Sequence, residues 1–243
     1  MCTVIFIPDN EKVFFASLRD ESPMRERAIA PSIVKINKVK TLSPKDPVAG
    51  GTWIGTNNAA NVIILLNGAF ENHLRNDYYR KSRGIIVSEL LATALPVTEW
   101  NKIDMKNIEP FTLVVWSKRN LYQLVWDGNT KHTFLLDAAQ SHIWSSATLY
   151  NASAGIIRKE AFQKWIAEKP SVCKLSILNF FTSSFIDPQN GFIMNRNEKI
   201  KTLSYTFVEM KNDTSLMNYR DFLTGAETAQ SISFIGLAAN LIH

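Results

Sequence analysis

The chain has 243 residues, 46% hydrophobic and 20% charged, a composition that indicates a globular protein and excludes an intrinsically disordered one. Its net charge of +5 is too small to indicate nucleic-acid binding, and no apolar run reaches the roughly 20 residues of a membrane-spanning helix. Because there is no signal peptide and two cysteines cannot form a disulfide framework, the sequence predicts a cytoplasmic protein without stable membrane insertion.

The start of the chain predicts a β-hairpin. Residues 3–7 and 13–18 are short β-branched and aromatic runs, and the residues between them have turn chemistry. A turn centred on residues 10–11 places Cys2 opposite Arg19 on the neighbouring strand. A register slip of one residue would move Arg19 to the other face, so the inference depends on this turn.

The rest of the chain predicts a mixed α+β protein. Prolines and a Gly-Gly pair mark residues 30–52 as irregular. Further strands are predicted over 61–66, 111–117, 121–126, 133–136 and 201–209, and helices over 82–94, 156–166 and 172–181. The apolar face of the second helix includes Ile157 and Phe162. Since strands come first and return late, the order favours mainly antiparallel sheets, and we expect one domain over residues 1–243.

Several common functional motifs are absent from the sequence. It contains no glycine-rich phosphate loop, no Cys-x-x-Cys or His-Glu-x-x-His metal motif and no Gly-x-Ser-x-Gly elbow. The four histidines are scattered along the chain. We therefore predict no metal, no cofactor and no nucleic-acid partner, and we interpret Cys173 as a buried structural thiol.

Cys2 is the residue that most directly indicates chemistry. A small second residue allows Met1 to be removed, after which Cys2 would carry both a thiol and a free α-amine. An amine with a pKa of about 7.7–8.0 can act as the general base for its own thiol. Arg19 would favour the thiolate, and Asp20 could orient the amine. Alternatively, Cys2 is simply a small residue at a strand start, and Arg19 and Asp20 belong to a charged surface cluster.

Three further segments offer ligand contacts. Gly51 and Thr52 precede Trp53 in a glycine-rich stretch that could bring backbone close to a ligand, or form a turn before a core tryptophan. Asn67 ends a strand, where its amide could donate to an oxyanion or make a turn. Arg83 lies in a basic segment that opens a helix, which suits either an anionic group or a solvated surface.

In this order, the segments resemble the NRDE family, also called the transport and Golgi organisation 2 family. The resemblance covers nearly the whole chain and rests on residues 1–3, 18–21, 50–55, 67, 80–84, 142–146 and 201–204. The chain departs from the family pattern at Leu18, where the family has Asn. It departs again at Ser146, where the later motif often carries Asn.

The resemblance implies an α+β fold of the N-terminal-nucleophile hydrolase type. This fold has four αββα layers, in which two stacked, mainly antiparallel sheets are flanked by helices. It is similar to that of cysteine acylases acting on linear amides. Carried over by position, Cys2 would be the nucleophile, Arg19 and Asp20 would tune it, and Asn67 would stabilise the oxyanion.

The substrate contacts expected on this reading are Gly51, Thr52, Trp53, Arg83 and Ser146. A serine at 146 is a weaker oxyanion donor than the family's asparagine. A second hypothesis is therefore a non-catalytic carrier of haem, an acyl chain or acyl-CoA on the same scaffold. Both hypotheses predict a small-molecule ligand, and the sequence leaves a homodimer open.

Overall fold

The computed structural model describes residues 3–36, 38–168 and 171–235. The secondary structure of these residues comprises β1 (Thr3–Asp9), β2 (Lys12–Glu21), β3 (Ile29–Ile36), β4 (Val39–Lys45), β5 (Ile54–Asn57), β6 (Val62–Asn67), α1 (Arg83–Leu91), α2 (Pro96–Lys102), β7 (Phe111–Ser117), β8 (Asn120–Trp126), β9 (Lys131–Leu136), β10 (His142–Ser145), α3 (Ala152–Glu168), α4 (Lys174–Ser183), β11 (Asn195–Arg196), β12 (Ile200–Lys211), β13 (Thr214–Asp221) and β14 (Glu227–Ser233). No helix in these ranges is long and apolar enough to cross a bilayer.

The strands form two antiparallel sheets, each of seven strands within the described residues. The first has the order β10-β1-β2-β12-β13-β14, with β11 beside β12, and the second runs from β3 to β9 in chain order. In the first hairpin Thr3 lies opposite Leu18, and Asp9 lies opposite Lys12. This is the register that the turn at residues 10–11 predicts.

The two sheets pack face to face, and helices cover their outer faces. Because successive strand residues point to opposite sides, Val4 and Phe6 join the core between the sheets, whereas Ile5 and Ile7 pack with Phe162 and α4. The helices α1 and α2 pack on the second sheet. These layers confirm the predicted αββα fold class.

The prediction of an irregular segment over 30–52 is wrong, because most of it forms the β3–β4 hairpin. Pro31 is tolerated because β3 is the edge strand, where one side of the backbone needs no donor for the ladder. Pro44 lies next to the end of β4. Pro31 therefore indicates an edge strand and not an interruption of the sheet.

The buried face of α3 is rotated relative to the prediction. Ile157 is 45% exposed, whereas Ala154, Arg158 and Phe162 are buried at a spacing of four residues. The sequence did not predict an arginine on the buried face. Because Arg158 lies on this face, the row of buried residues is shifted by one position from the predicted apolar face.

The interpretation of Cys173 as a buried structural thiol is also wrong. Cys173 is exposed and forms the N-cap of α4, where its sulfur accepts a hydrogen bond from the Ser176 backbone N–H. The Ser176 hydroxyl in turn accepts from the Cys173 backbone N–H. The pair acts as a capping box, in which the side chain of each residue accepts a hydrogen bond from the backbone N–H of the other.

Candidate functional site

A cavity of about 750 Å³ opens where the end of β2, the segment before β5, the end of β6 and the start of α1 meet. Six predicted site residues line this large cavity: Arg19, Gly51, Thr52, Trp53, Asn67 and Arg83. They come from four separate segments of the chain, so the fold brings them together.

Arg19 is held in the wall of the large cavity by a carboxylate and an aromatic ring. The residue is 5% exposed, and its Nη2 donates a hydrogen bond to Asp46 Oδ2 at 3.0 Å. The guanidinium also lies 4.8 Å from the centre of the Trp53 ring. A cation over a tryptophan face is attracted by the ring quadrupole, so Trp53 is both a core residue and a support for Arg19.

Asp46, which the sequence reading missed, connects two arginines at this wall. It also accepts hydrogen bonds from Arg25 Nε at 2.8 Å and from the backbone N–H groups of Val48 and Ala49 at 3.0 Å. Burial raises the pKa of Asp46, but the hydrogen bonds from Arg25 and Ala49 and the charges of both arginines outweigh it and lower the pKa overall. Asp46 is therefore ionised at neutral pH and fixes Arg19 and Arg25.

Gly51 makes a close approach between two backbone segments. The Thr52 N–H donates to the Gly84 carbonyl at 3.1 Å, in the first turn of α1. A Cβ on Gly51 would overlap the Gly84 backbone, and a Cβ on Gly84 would lie 2.9 Å from the Thr52 carbonyl oxygen. The two glycines thus let the loop pack on the helix, whose N-cap Ser82 accepts from the Gly84 N–H at 3.3 Å.

Arg83 is also paired with a carboxylate in the cavity wall. Its Nη2 lies 3.1 Å from Glu109 Oε2, and Nη1 donates to the Pro110 carbonyl at 3.2 Å. His73 Nε2 lies 3.4 Å from the other oxygen of Glu109. Burial lowers the pKa of Arg83, although the charge of Glu109 opposes this effect. The cation predicted to meet an anionic ligand therefore already has a protein partner.

Asn67 and Ser146 lie beside each other but play different parts. The Ser146 hydroxyl donates to the Asn67 backbone carbonyl at 2.8 Å and lies 3.0 Å from the Thr148 hydroxyl. Ser146 is 1% exposed and is not brought to the large cavity. The side-chain amide of Asn67 makes no hydrogen bond with the described residues, so it is an available donor at the cavity wall.

Asp20 is separated from Arg19 although the two are adjacent in sequence. Strand alternation turns Asp20 to the opposite face of β2, where it is 4% exposed and does not line the large cavity. The Tyr150 hydroxyl donates to Asp20 Oδ2 at 3.0 Å, and the Thr202 hydroxyl donates to Oδ1 at 2.6 Å. The structure thus places Asp20 behind the cavity.

Cys2 lies outside the described residues, but its covalent neighbour Thr3 begins β1. Thr3 pairs with Leu18 of β2 on one side and with Ser145 of β10 on the other. The Thr3 hydroxyl accepts a hydrogen bond from Arg158 Nη2. The first described residue of the chain is therefore fixed by two strands and one buried cation.

Arg158 of α3 is fully buried, and the sequence analysis did not identify it as a structural residue. It donates to the Ser145 hydroxyl at 3.1 Å and to the carbonyls of Asn190 and Gly191 at 2.8 Å each. Its guanidinium stacks 4.0 Å from the centre of the Tyr150 ring. The available signal was its position four residues before Phe162, on the buried helical face.

The sequence gives a weaker indication for the two carboxylates of the cavity wall, which were not predicted as site residues. Asp46 and Glu109 each precede a proline in a loop, and Asp46 opens a turn by accepting from N–H groups two and three residues ahead. A local turn motif cannot indicate which distant arginine the carboxylate will meet. Over the described ranges, no group of three His, Cys, Asp or Glu side chains is placed to hold a metal ion.

Comparisons with known proteins give a family and a fold. The model of the Transport and Golgi organisation 2 family matches residues 1–228. No curated protein matches the sequence.

Three similar solved structures come from two kinds of hydrolase. Two are variants of conjugated bile acid hydrolase from Clostridium perfringens. One is 10% identical with a TM-score of 0.61, covering 96% of both chains, and the other is 9% identical with a TM-score of 0.64, covering 96% of this chain and 92% of the enzyme. The third is the Caenorhabditis elegans orthologue of N-acylethanolamine-hydrolyzing acid amidase, 10% identical with a TM-score of 0.58, covering 85% of this chain and 92% of that one. The structural similarity shows a shared N-terminal-nucleophile hydrolase-like fold, and at identities this low it shows the fold alone.

Proposed function

The chain belongs to the Transport and Golgi organisation 2 family, and on that premise we propose that it is a cysteine amidohydrolase. Its substrate would be a linear amide of a small or acylated molecule, cleaved after Met1 has been removed. The amide hydrolase-like fold supports this reaction class. The observation that carries the proposal is the convergence of Arg19 and Asn67 on one cavity, with Arg19 on the hairpin whose first described residue, Thr3, follows Cys2 in the sequence.

In the proposed reaction the Cys2 thiolate attacks the amide carbonyl carbon. The α-amine of Cys2 takes the thiol proton and then gives it to the departing amine as the C–N bond breaks. The Asn67 side-chain amide donates to the oxyanion of the tetrahedral intermediate. Water then hydrolyses the thioester, which releases the carboxylic acid and restores the thiol.

Two residues are proposed to position this chemistry. Arg19 would lie beside the thiol if β1 continues its alternation for one more residue, on the face of Val4, and its charge would favour the thiolate. Asp20 would orient the α-amine as an acceptor already fixed by Tyr150 and Thr202. Neither role requires a metal or a cofactor.

The first experiment measures the state and reactivity of Cys2. Intact mass is recorded before and after brief alkylation with limiting iodoacetamide at pH 7, and the modified peptide is mapped. The exposed Cys173 thiol is the internal comparison. We expect a mass lacking Met1 and faster alkylation at Cys2 than at Cys173. A retained Met1 would leave no N-terminal base and would overturn the proposal.

The second experiment tests turnover on a panel of N-acyl amides. We expect hydrolysis by the wild type, loss of at least about a hundredfold in kcat/KM in Cys2→Ala, and unchanged activity in Cys173→Ser. Asn67→Ala should lower kcat by about 10²–10³-fold, because it removes one oxyanion donor. Equal activity of the Cys2→Ala variant and the wild type would contradict the cysteine mechanism.

The second candidate function is carriage of an acyl chain, acyl-CoA or haem without hydrolysis. The burial of Ser146 favours it, because the hydroxyl that stands where the family often has Asn bonds backbone and does not line the large cavity. Saturable binding of one of these ligands by a protein that cleaves no amide would support carriage. Restoration of hydrolysis by Ser146→Asn would instead favour the enzyme.

A further inference from the structure

The β3–β4 hairpin holds most of the net charge of the chain. Residues 29–45 contain four lysines and neither Asp nor Glu, whereas the whole chain has a net charge of +5. All four lysines are exposed, and within the described ranges their ammonium groups have no ion-pair partner. They are Lys35, Lys38, Lys40 and Lys45. The hairpin is therefore a positively charged surface on a protein that is otherwise close to neutral.

Two of these lysines lie directly opposite each other. Lys35 of β3 pairs with Lys40 of β4 in the antiparallel ladder, so their side chains lie on the same face. Lys38 lies in the turn that joins the two strands. Like charges directly opposite each other destabilise a sheet. An anion beside this pair would relieve the repulsion, so the tip of the hairpin suits an anionic partner.

Aliphatic side chains are exposed on both faces of the same hairpin. Ile33 is 47% exposed and Val34 is 51% exposed, and consecutive strand residues point to opposite faces. Ile36 beside the turn and Ile29 at the start of β3 are exposed as well. A partner protein with a flat surface covers only one face of a hairpin. A lipid headgroup layer surrounds an element that enters it and covers both faces.

The backbone of β3 is protected against pairing with another strand. β3 is an edge strand of its sheet, but Pro31 has no N–H to donate and Lys35 carries a charge. The ladder with β4 is also irregular between Ile29 and Ser32. Proline, lysine and bulges are features by which edge strands avoid edge-to-edge pairing. These features disfavour a second copy that adds a strand here, so the side chains form the contact surface.

The opposite edge of the same sheet lacks this combination of groups. On β9, Phe134 and Leu135 are exposed. The lysine of this strand, Lys131, donates to three backbone carbonyl groups, and Asp137 follows the strand. β9 therefore offers exposed apolar side chains without an unpaired cation, and it is an internal comparison for the hairpin.

We propose that the β3–β4 hairpin is a docking surface for an anionic lipid bilayer. The lysines lie over the anionic headgroups, and the aliphatic side chains enter the interfacial layer. This combination is typical of proteins that bind a membrane surface reversibly, and it requires no membrane-spanning segment. Docking is independent of the proposed hydrolase, since no residue of 29–45 lines the large cavity.

The first test is cosedimentation of the full chain with lipid vesicles. One set of vesicles is phosphatidylcholine alone, and the other is an equimolar mixture of phosphatidylcholine and phosphatidylserine. We expect binding to the mixed vesicles that weakens as NaCl is raised, because salt screens the surface potential. Absence of binding, or equal binding to both sets, would overturn the proposal.

The second test removes charge from the hairpin. Lys35→Gln/Lys40→Gln should lower partition onto the mixed vesicles by about 20- to 30-fold, since each lysine near an anionic surface contributes about fivefold. Lys159→Gln/Lys164→Gln is the matched control, because it removes the same charge from exposed positions on α3. An equal loss in both double variants would show an effect of net charge alone and overturn the assignment to the hairpin.

The third test removes apolar surface. Ile33→Thr/Val34→Thr keeps two β-branched residues in the strand, so the hairpin should be retained while vesicle binding falls severalfold. Phe134→Thr/Leu135→Thr makes a comparable change on β9 and should leave binding unchanged. If Ile33→Thr/Val34→Thr binds like the wild type, the aliphatic side chains do not enter the interfacial layer and that part of the proposal is wrong.

A fluorescent label reports where the hairpin lies. Nitrobenzoxadiazole is attached to the Val34→Cys variant in a Cys2→Ala/Cys173→Ser background. We expect its emission to rise and shift to shorter wavelength with mixed vesicles, as the label leaves water. Unchanged emission from vesicle-bound protein would place the contact elsewhere and overturn the proposal.

A second copy of the chain and the proposed hydrolase give distinguishable results. A dimer in sedimentation velocity that Ile33→Thr/Val34→Thr dissociates, together with no vesicle binding, would assign the hairpin to self-association and overturn lipid docking. The Cys2→Ala variant should bind mixed vesicles as the wild type does. Vesicle binding by a protein that cleaves no amide would support docking and contradict the hydrolase, and cleavage without vesicle binding would do the reverse.

Discussion

Two buried arginines near the first hairpin are stabilised by different kinds of partner. Arg19 at the large cavity is 5% exposed and pairs with Asp46, which also binds Arg25. Arg158 of α3 is fully buried, and in the described ranges no carboxylate lies within ion-pair distance of it. Its donors meet hydroxyl and carbonyl oxygens and its face meets Tyr150.

The difference separates a cation in the wall of the large cavity from a cation that connects elements of the fold. Arg19 and Asp46 fix each other at the edge of a solvent-filled space, where a ligand can still approach them. Arg158 joins α3 to the start of β1 and to the end of β10, since its hydrogen bonds reach Thr3 and Ser145. Removing either arginine should therefore have different consequences for stability and for binding.

The largest expected effect is that of Arg158→Ala. The substitution leaves buried hydroxyl and carbonyl groups without donors, and we expect the free energy of unfolding to fall by about 3–5 kcal/mol. Urea denaturation measures this loss. Arg196→Ala is the control, because Arg196 stacks on the same Tyr150 ring at 5.5 Å but is only partly buried.

We expect Arg196→Ala to cost about 1 kcal/mol. If Arg158→Ala lowers the free energy of unfolding no more than Arg196→Ala does, Arg158 does not connect α3 to the two strands as we infer. Arg158→Lys retains the charge but loses the fork of donors, so it should recover only part of the stability.

The second effect concerns Asp46 and depends on pH. Asp46→Asn removes the negative partner of Arg19 and Arg25 and should lower the free energy of unfolding by about 2 kcal/mol at neutral pH. The folded pKa of Asp46 lies below its unfolded value of about 3.9, so its contribution is present above that pH and is lost as pH falls through the folded pKa. The gap between wild type and variant should therefore close in acid.

Chemical denaturation across this pH range measures the gap. Glu209→Gln is the control, because Glu209 pairs with Lys12 at the surface and should contribute less than about 1 kcal/mol. A gap that stays constant from neutral pH to acid would show that Asp46 acts through packing and not through its charge.

Local chemistry in the sequence predicted much of the fold. The turn at residues 10–11 fixed the register that places Thr3 opposite Leu18, because a two-residue hairpin loop leaves one pairing. The β3–β4 hairpin escaped prediction, since proline in an edge strand cannot be distinguished locally from proline in a loop. The rotation of α3 escaped it because a buried Arg158 is favourable only with acceptors that other segments provide.

The candidate site shows the same difference between residues that local patterns identify and contacts that depend on the packing of distant segments. Arg19, Trp53 and Asn67 could be singled out because each residue type in its local context already suggests a role. Their carboxylate partners could not, since the meeting of Asp46 with Arg19 requires two segments to pack together. Asp20 shows the opposite limit, because it is adjacent to Arg19 in the sequence whereas strand alternation places its side chain on the other face of β2.

The smallest expected effects come from two glycine-to-alanine substitutions, one in the backbone at the large cavity and one in α3. Gly51→Ala forces a methyl group into the Gly84 backbone and should lower the free energy of unfolding by about 1–3 kcal/mol. Gly155→Ala meets open space on α3 and should raise it by about 0.5–1 kcal/mol, because alanine is the better helix former. Thermal unfolding should therefore shift in opposite directions for the same chemical change. A loss in both variants would show that α3 is packed as tightly as the cavity wall, and the contrast between a constrained cavity-wall loop and an open helix surface would then fail.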